Sequence, residues 1–305
     1  MTDHDNPFDG LLGSDDHGRW AFGGNFDDPL AGLDTTVPDG IDGLALARYC
    51  LMLADDALLS AQRLAEWSTR APELEEEIAL INIGLDLLGQ TRLLFTRAAA
   101  ADPAVVPHIS DTSPIPAEDA LAFFRDPIEY RNARLCELDN GDFAQTITRL
   151  LVFAAWRLAC FERLCESRDP VLSAIADKGV KELTYHRDYA ARWVVVLGSG
   201  TEESHRRMQR GLERIWPFVG ELFEPTAEET ELAAAGVGVD PVTVRAEFDL
   251  VLDTILRAAE LTAPTGRAAA TGSGRTGRHG GHTEALDLLL GEMQSLARAH
   301  PEATW

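Results

Sequence analysis

The chain reads as long apolar stretches cut by short polar breaks. In the first, LALARYCLMLADDALLSAQRLAEW (44–67), apolar residues occupy most faces, and Arg48, Asp55, Asp56, Arg63 and Glu66 recur at near-helical spacing as one polar stripe. That pattern predicts a helix buried among neighbours. Val37-Pro38-Asp39-Gly40 breaks the chain ahead of it. A second helix runs from Ala71 to about residue 101. Pro72 suits its first turn, and Glu73, Glu75, Glu76 and Glu77 sit at the positive end of its dipole. Residues 102–116 hold four prolines and predict a loop, followed by a shorter helical piece over 117–137.

Asp139-Asn140-Gly141-Asp142 predicts a turn in which Asp142 caps a third long helix, 142–167. Asp169-Pro170 opens a fourth, which stops at Gly198-Ser199-Gly200. Thr201 caps a fifth, ending near Pro225, and Asp240-Pro241 opens a sixth, reaching about residue 262. APTGRAAATGSGRTGRHGGH (263–282) predicts a flexible loop, and a last helix ends at Pro301. Neither β-type alternation of useful length nor a repeat of 20–50 residues is visible. Four long buried helices with additional pieces predict an all-α bundle.

Composition narrows the function classes. The 305 residues are 45% hydrophobic, enough for a sizeable core, and carry a formal net charge of −23, which argues against a nucleic-acid partner. The acid is concentrated at the start. Residues 1–42 contain ten Asp and one Arg, which predicts a mostly disordered, solvating arm over 1–40, with partner binding as the alternative role. The helical domain is then 41–305. Cys50, Cys136, Cys160 and Cys165 form no CxxC pair and read as reduced thiols of a cytoplasmic protein. The start, MTDHDNPFDG, lacks the basic and apolar regions of a signal peptide, and no apolar run approaches the ~20 residues that span a bilayer.

The bundle pattern raises the question of a metal centre. In ferritin-like di-iron bundles two helices each give a Glu, and the other two each give Glu-x-x-His, whose side chains share a face one turn apart. Here GLDLLGQ (84–90) and LTYH (183–186) hold the corresponding places. The slots are filled by Leu87 and Gln90 on the second helix, Leu183 and His186 on the fourth, and Ala57 on the first. The third helix offers LLVFAAW (150–156), with no carboxylate. Asp86 and Glu182 each precede a slot by one residue, about 100° of helix rotation away, and so suit polar interhelix contacts or an interface. Only His186 of the expected ligands remains. No G-x-S-x-G, phosphate loop or zinc spacing occurs. The loop residues Arg267, Arg275, Arg278, His279 and His282 read as solvated, with contact to an anion or acidic partner as the alternative.

Several stretches carry a resemblance: RLAEW (63–67), APELEEEIALINIGLDLLGQTR (71–92), NGDFAQTITR (140–149), ESRDPVLSAIADKGVKELTYH (166–186), MQRGLERIWPFVGELF (208–223) and HTEALDLLLGEMQSLARAHPEATW (282–305). From about residue 42 onward the chain resembles the structural, C-type subunits of bacterial phenylacetyl-CoA 1,2-epoxidases. The resemblance implies a ferritin-like four-helix bundle with additional helices and no cofactor of its own. It further implies a hetero-oligomer with a homologous catalytic subunit that holds a di-iron centre and inserts oxygen into the aromatic ring, served by other epoxidase components including a reductase. Two other classes stay open on the residues alone: a stand-alone di-iron oxidase or iron-storage protein with unusual ligands, and a helical scaffold for another pathway.

Overall fold

The computed structural model describes residues 32–110, 113, 115–265 and 275–303, and Asp34–Trp305 forms one compact unit. Its described residues fold into helices and turns, without a strand. Four long helices make the centre: α1 (Gly43–Ala65), α2 (Leu74–Ala101), α5 (Phe143–Leu164) and α6 (Pro170–Gly198). Between them lie the short α3 (Ala117–Phe123) and α4 (Arg134–Glu137). Beyond them come α7 (Glu202–Ile215), α8 (Ala227–Ala234), α9 (Arg245–Ala258) and α10 (Glu284–Ala299).

The helix starts follow local chemistry. The side chains of Asp142, Asp169 and Thr201 accept from the backbone N–H of Gln145, Leu172 and Ser204, satisfying donors that the first turn leaves free. α2 starts later than its sequence suggests. Glu73 is the residue before the helix, so Pro72 lies outside it, while Glu75, Glu76 and Glu77 occupy the first turn. The single helical piece expected over 117–137 is broken at Pro127, and Asp126 with Glu129 forms a reciprocal cap there. The fifth helix ends at Ile215, where Trp216-Pro217 tightens the chain into 3-10 turns.

Contacts along the long helices give their directions. Thr91 on α2 donates to the Ala54 carbonyl on α1, and the Gly43 end of α1 abuts Ala101 at the end of α2, so the pair is antiparallel. Ser173 donates to the Cys165 carbonyl while Phe143 stacks edge-on with Trp193, so α5 and α6 are antiparallel too. Trp67, just past α1, donates to Thr146 on α5, and Arg157 on α5 donates to the Leu53 carbonyl, so α1 and α5 run oppositely. α2 and α5 therefore run the same way, which the long crossover from 102 to 142 makes possible. Gly179 lets α5 and α6 approach closely, since a Cβ there would lie 2.7 Å from the Phe161 ring.

α1 is buried among its neighbours as its pattern predicts, and its polar stripe is covered with it, Asp55, Asp56 and Arg63 being buried. The arm expected over 1–40 is ordered in its last part: Arg97 donates to the Thr35 carbonyl at 2.7 Å, and Pro38 accepts from the Ile41 N–H in a turn. Residues 1–31 lie outside the described residues.

Candidate functional site

The five slot residues all lie inside the bundle. Ala57, Leu87, Leu183 and His186 have no exposed surface, and Gln90 has almost none. Gln90 is held from both sides. Its amide N–H donates to Glu182 at 2.9 Å, and its amide oxygen accepts from Nε of Arg157 at 3.0 Å. Arg157, on α5, is the central side chain that the sequence pattern does not single out. It is completely buried, donates to the Leu53 carbonyl on α1 at 3.0 Å, and lays its guanidinium over the Phe161 ring at 4.4 Å. Burial lowers its pKa to about 10, against the pull of Asp56. A chain of polar contacts thus runs from α1 through Arg157 and Gln90 to Glu182 on α6, where Lys178 pairs with the carboxylate at 3.6 Å.

His186 lies one turn further along α6 and faces Asp86, with Nε2 and Oδ2 3.0 Å apart. Asp86 and Glu182 are therefore interhelix partners of His186 and Gln90, as their one-residue offset predicts. Nδ1 of His186 and Nη2 of Arg157 are buried without a hydrogen-bond partner in the protein.

This donor set does not fit a di-iron pair. Iron pairs take several carboxylates and imidazoles, whereas these positions present aliphatic groups, one amide and one imidazole, with a guanidinium bonded to the amide. Among the described residues no three His, Cys, Asp or Glu side chains converge as metal donors.

The buried carboxylates lie on the flank of α1 and serve the crossover. Asp55 pairs with Arg125 and accepts from the Arg131 N–H at 2.8 Å. Asp56 accepts from Arg278 at 2.7 and 3.0 Å and from the Ala133 N–H at 2.7 Å. Burial raises the Asp56 pKa, opposed by Arg278. Glu137 accepts from Asn132 and from Nδ1 of His282, each at 2.8 Å. Arg278 and His282 thus belong to a docked segment, contrary to the solvated loop expected over 263–282. The cause is the pair of adjacent aspartates, which need a cation once the crossover covers them. His279 bonds Thr276 at the surface, and Arg267 lies outside the described residues. Two consecutive Asp in an otherwise apolar stretch were the available signal for this anchor.

The cysteines offer no reactive thiol at this centre. Cys50, Cys136 and Cys160 are free and buried, and burial raises their pKa values, that of Cys160 to about 12.

Compared with known proteins, residues 38–305 match the family described as phenylacetic acid catabolic protein. Over 260 residues the chain is 41% identical to the C-type subunit of 1,2-phenylacetyl-CoA epoxidase from Escherichia coli (strain K12), an alignment that covers 85% of this chain and 99% of that protein.

Proposed function

The chain belongs to the phenylacetic acid catabolic protein family, and on that premise we propose that it is the non-catalytic structural subunit of a cytoplasmic phenylacetyl-CoA 1,2-epoxidase. Its partner is a homologous subunit that carries the di-iron centre and oxidises the aromatic ring. The observation that carries the proposal is Arg157. A guanidinium bonded to the side chain of residue 90, one of the positions expected to carry a ligand, supports a bundle centre that holds no metal. The helix directions support the ferritin-like assignment, because one long crossover that leaves its flanking helices parallel is characteristic of that bundle.

Arg157 and Gln90 keep α5, α2 and α1 tied together without metal. Buried glutamates lacking an ion would cost several kcal/mol each, so Leu87 and Leu183 are stable replacements. On this account the bundle contributes shape and surface to a complex. The test is reconstitution. Epoxidation of phenylacetyl-CoA requires both this chain and the di-iron subunit, together with the reductase. Full turnover and solubility of the di-iron subunit alone would refute the structural role.

A further inference from the structure

Residues 275–283 lie against the crossover as a strap, fastened by buried polar contacts. Gly277 presses so closely on the crossover that a Cβ there would lie 2.1 Å from the Asn132 carbonyl oxygen, and its N–H donates to Glu221 at 2.9 Å. Arg278 pairs with Asp56 at 2.7 Å. His282 makes the last fastening, just ahead of α10. Its Nδ1 lies 2.8 Å from Oε2 of Glu137, and its Nε2 lies 3.2 Å from the Tyr130 carbonyl oxygen.

Both neighbours are acceptors. A backbone carbonyl carries no proton. Glu137 is completely buried and already accepts from Asn132 and from the Thr283 N–H. A proton shared with the ring belongs on the imidazole, the stronger base of the two. A neutral imidazole has one N–H, so its other nitrogen would aim a lone pair at an oxygen lone pair. Turning the ring over would set carbon atoms against both oxygens and lose both bonds.

We propose that His282 is held as an imidazolium and that the strap is thereby a pH-sensitive latch, fastened while the ring carries both protons and loosened as pH rises. The surrounding charges are matched elsewhere. On α1, Arg63 pairs with Glu66 and donates to the Glu137 and Ala285 carbonyls, and Asp56 pairs with Arg278. On α4, Arg134 pairs with Glu221. The Tyr130 phenol donates to the Ala122 carbonyl, and Glu284 is exposed in the first turn of α10. The His282 proton therefore neutralises the buried Glu137. A histidine in the undocked, solvated segment gives up that proton near pH 6.5. Docking is complete below that range and weakens above it, by at most about tenfold per pH unit for one proton.

The experiment uses the full-length chain. Nitrogen-15 NMR at pH 7 reads the ring directly, with His282 identified by the signal missing from His282→Gln. Both ring nitrogens of His282 should carry hydrogen largely throughout, while surface histidines are mostly neutral. Hydrogen exchange of the Thr283 N–H, corrected for its intrinsic rate, reads docking. In wild type its protection should fall at least about fivefold from pH 6.5 to 8.5, while protection along α5 holds. In Glu137→Gln the fall should vanish, because the ring no longer faces a carboxylate. A His282 ring with one bare nitrogen at pH 7 overturns the proposal. So does Thr283 protection that stays level over this range in wild type, or that falls equally in Glu137→Gln. If either variant fails to fold, the wild-type exchange profile decides alone.

Discussion

Restoring the missing ligands should not by itself restore a metal site, because Arg157 opposes it. In the triple variant Leu87→Glu/Gln90→His/Leu183→Glu, two carboxylates and one imidazole join His186. Nε of Arg157 lies 3.0 Å from the Gln90 side chain, so an ion held by an imidazole at position 90 would lie about 5 Å from the guanidinium. For a divalent ion at that distance and an effective dielectric of about 20, repulsion is roughly 6–7 kcal/mol. The alternative is loss of the Arg157 proton. With its pKa lowered to about 10, that costs about 4 kcal/mol at neutral pH. The smaller figure sets the penalty, about a thousandfold in affinity. Adding Arg157→Glu removes the cation and gives α5 the carboxylate that it lacks. Metal analysis after expression in iron-rich medium, with melting scans before and after chelation, checks this. The triple variant should hold no more iron than wild type and melt below it, while the quadruple variant should gain iron and a chelator-sensitive rise in Tm. Near-stoichiometric iron in the triple variant, with Arg157 intact, would refute the reasoning.

Four further outcomes follow from the same contacts. Gln90→Leu leaves a buried guanidinium short of a partner and should cost about 3–5 kcal/mol, Arg157→Met about 1–3, and the two together less than their sum by more than about 1 kcal/mol in urea unfolding; additivity would separate the two residues energetically. Arg278→Ala should lower stability by about 3–5 kcal/mol by leaving Asp56 buried and unpaired. Burial already holds the Asp56 pKa above its ordinary 3.8, so the folded state binds that proton more tightly than the unfolded chain, and the variant's deficit, read from Tm against pH, should grow as pH rises through the folded value. Native protein at pH 8 should react with Ellman's reagent at Cys165 well before the three buried thiols, and urea should expose all four. Wild-type protein from iron-rich medium should carry no stoichiometric iron; near-stoichiometric iron that is lost on His186→Ala would make this chain a di-iron protein.

The fold was legible where local chemistry decides it. Asp142, Asp169 and Thr201 announced their helices because a cap needs only the next three residues. That Leu87 with Gln90 and Leu183 with His186 turn to the interior was legible too, since an i, i+3 pair on a helix shares a face whatever surrounds it. Arg157 was not, because its partners Gln90 and Leu53 lie 67 and 104 residues away. Without them, an arginine in an apolar helix reads as a side chain reaching for solvent. The partners of Asp55 and Asp56 were hidden for the same reason: the cations that neutralise them, Arg125 and Arg278, arrive from the crossover and from beyond residue 274. α2 shows the deeper limit. An apolar helix predicts burial but does not say by what, because a core and an interface remove the same surface from water. Leu74, Ile78, Leu85 and Leu88 satisfy that pattern yet face outward in the folded chain. The sequence asks for a cover that its own 305 residues leave incomplete over the described part.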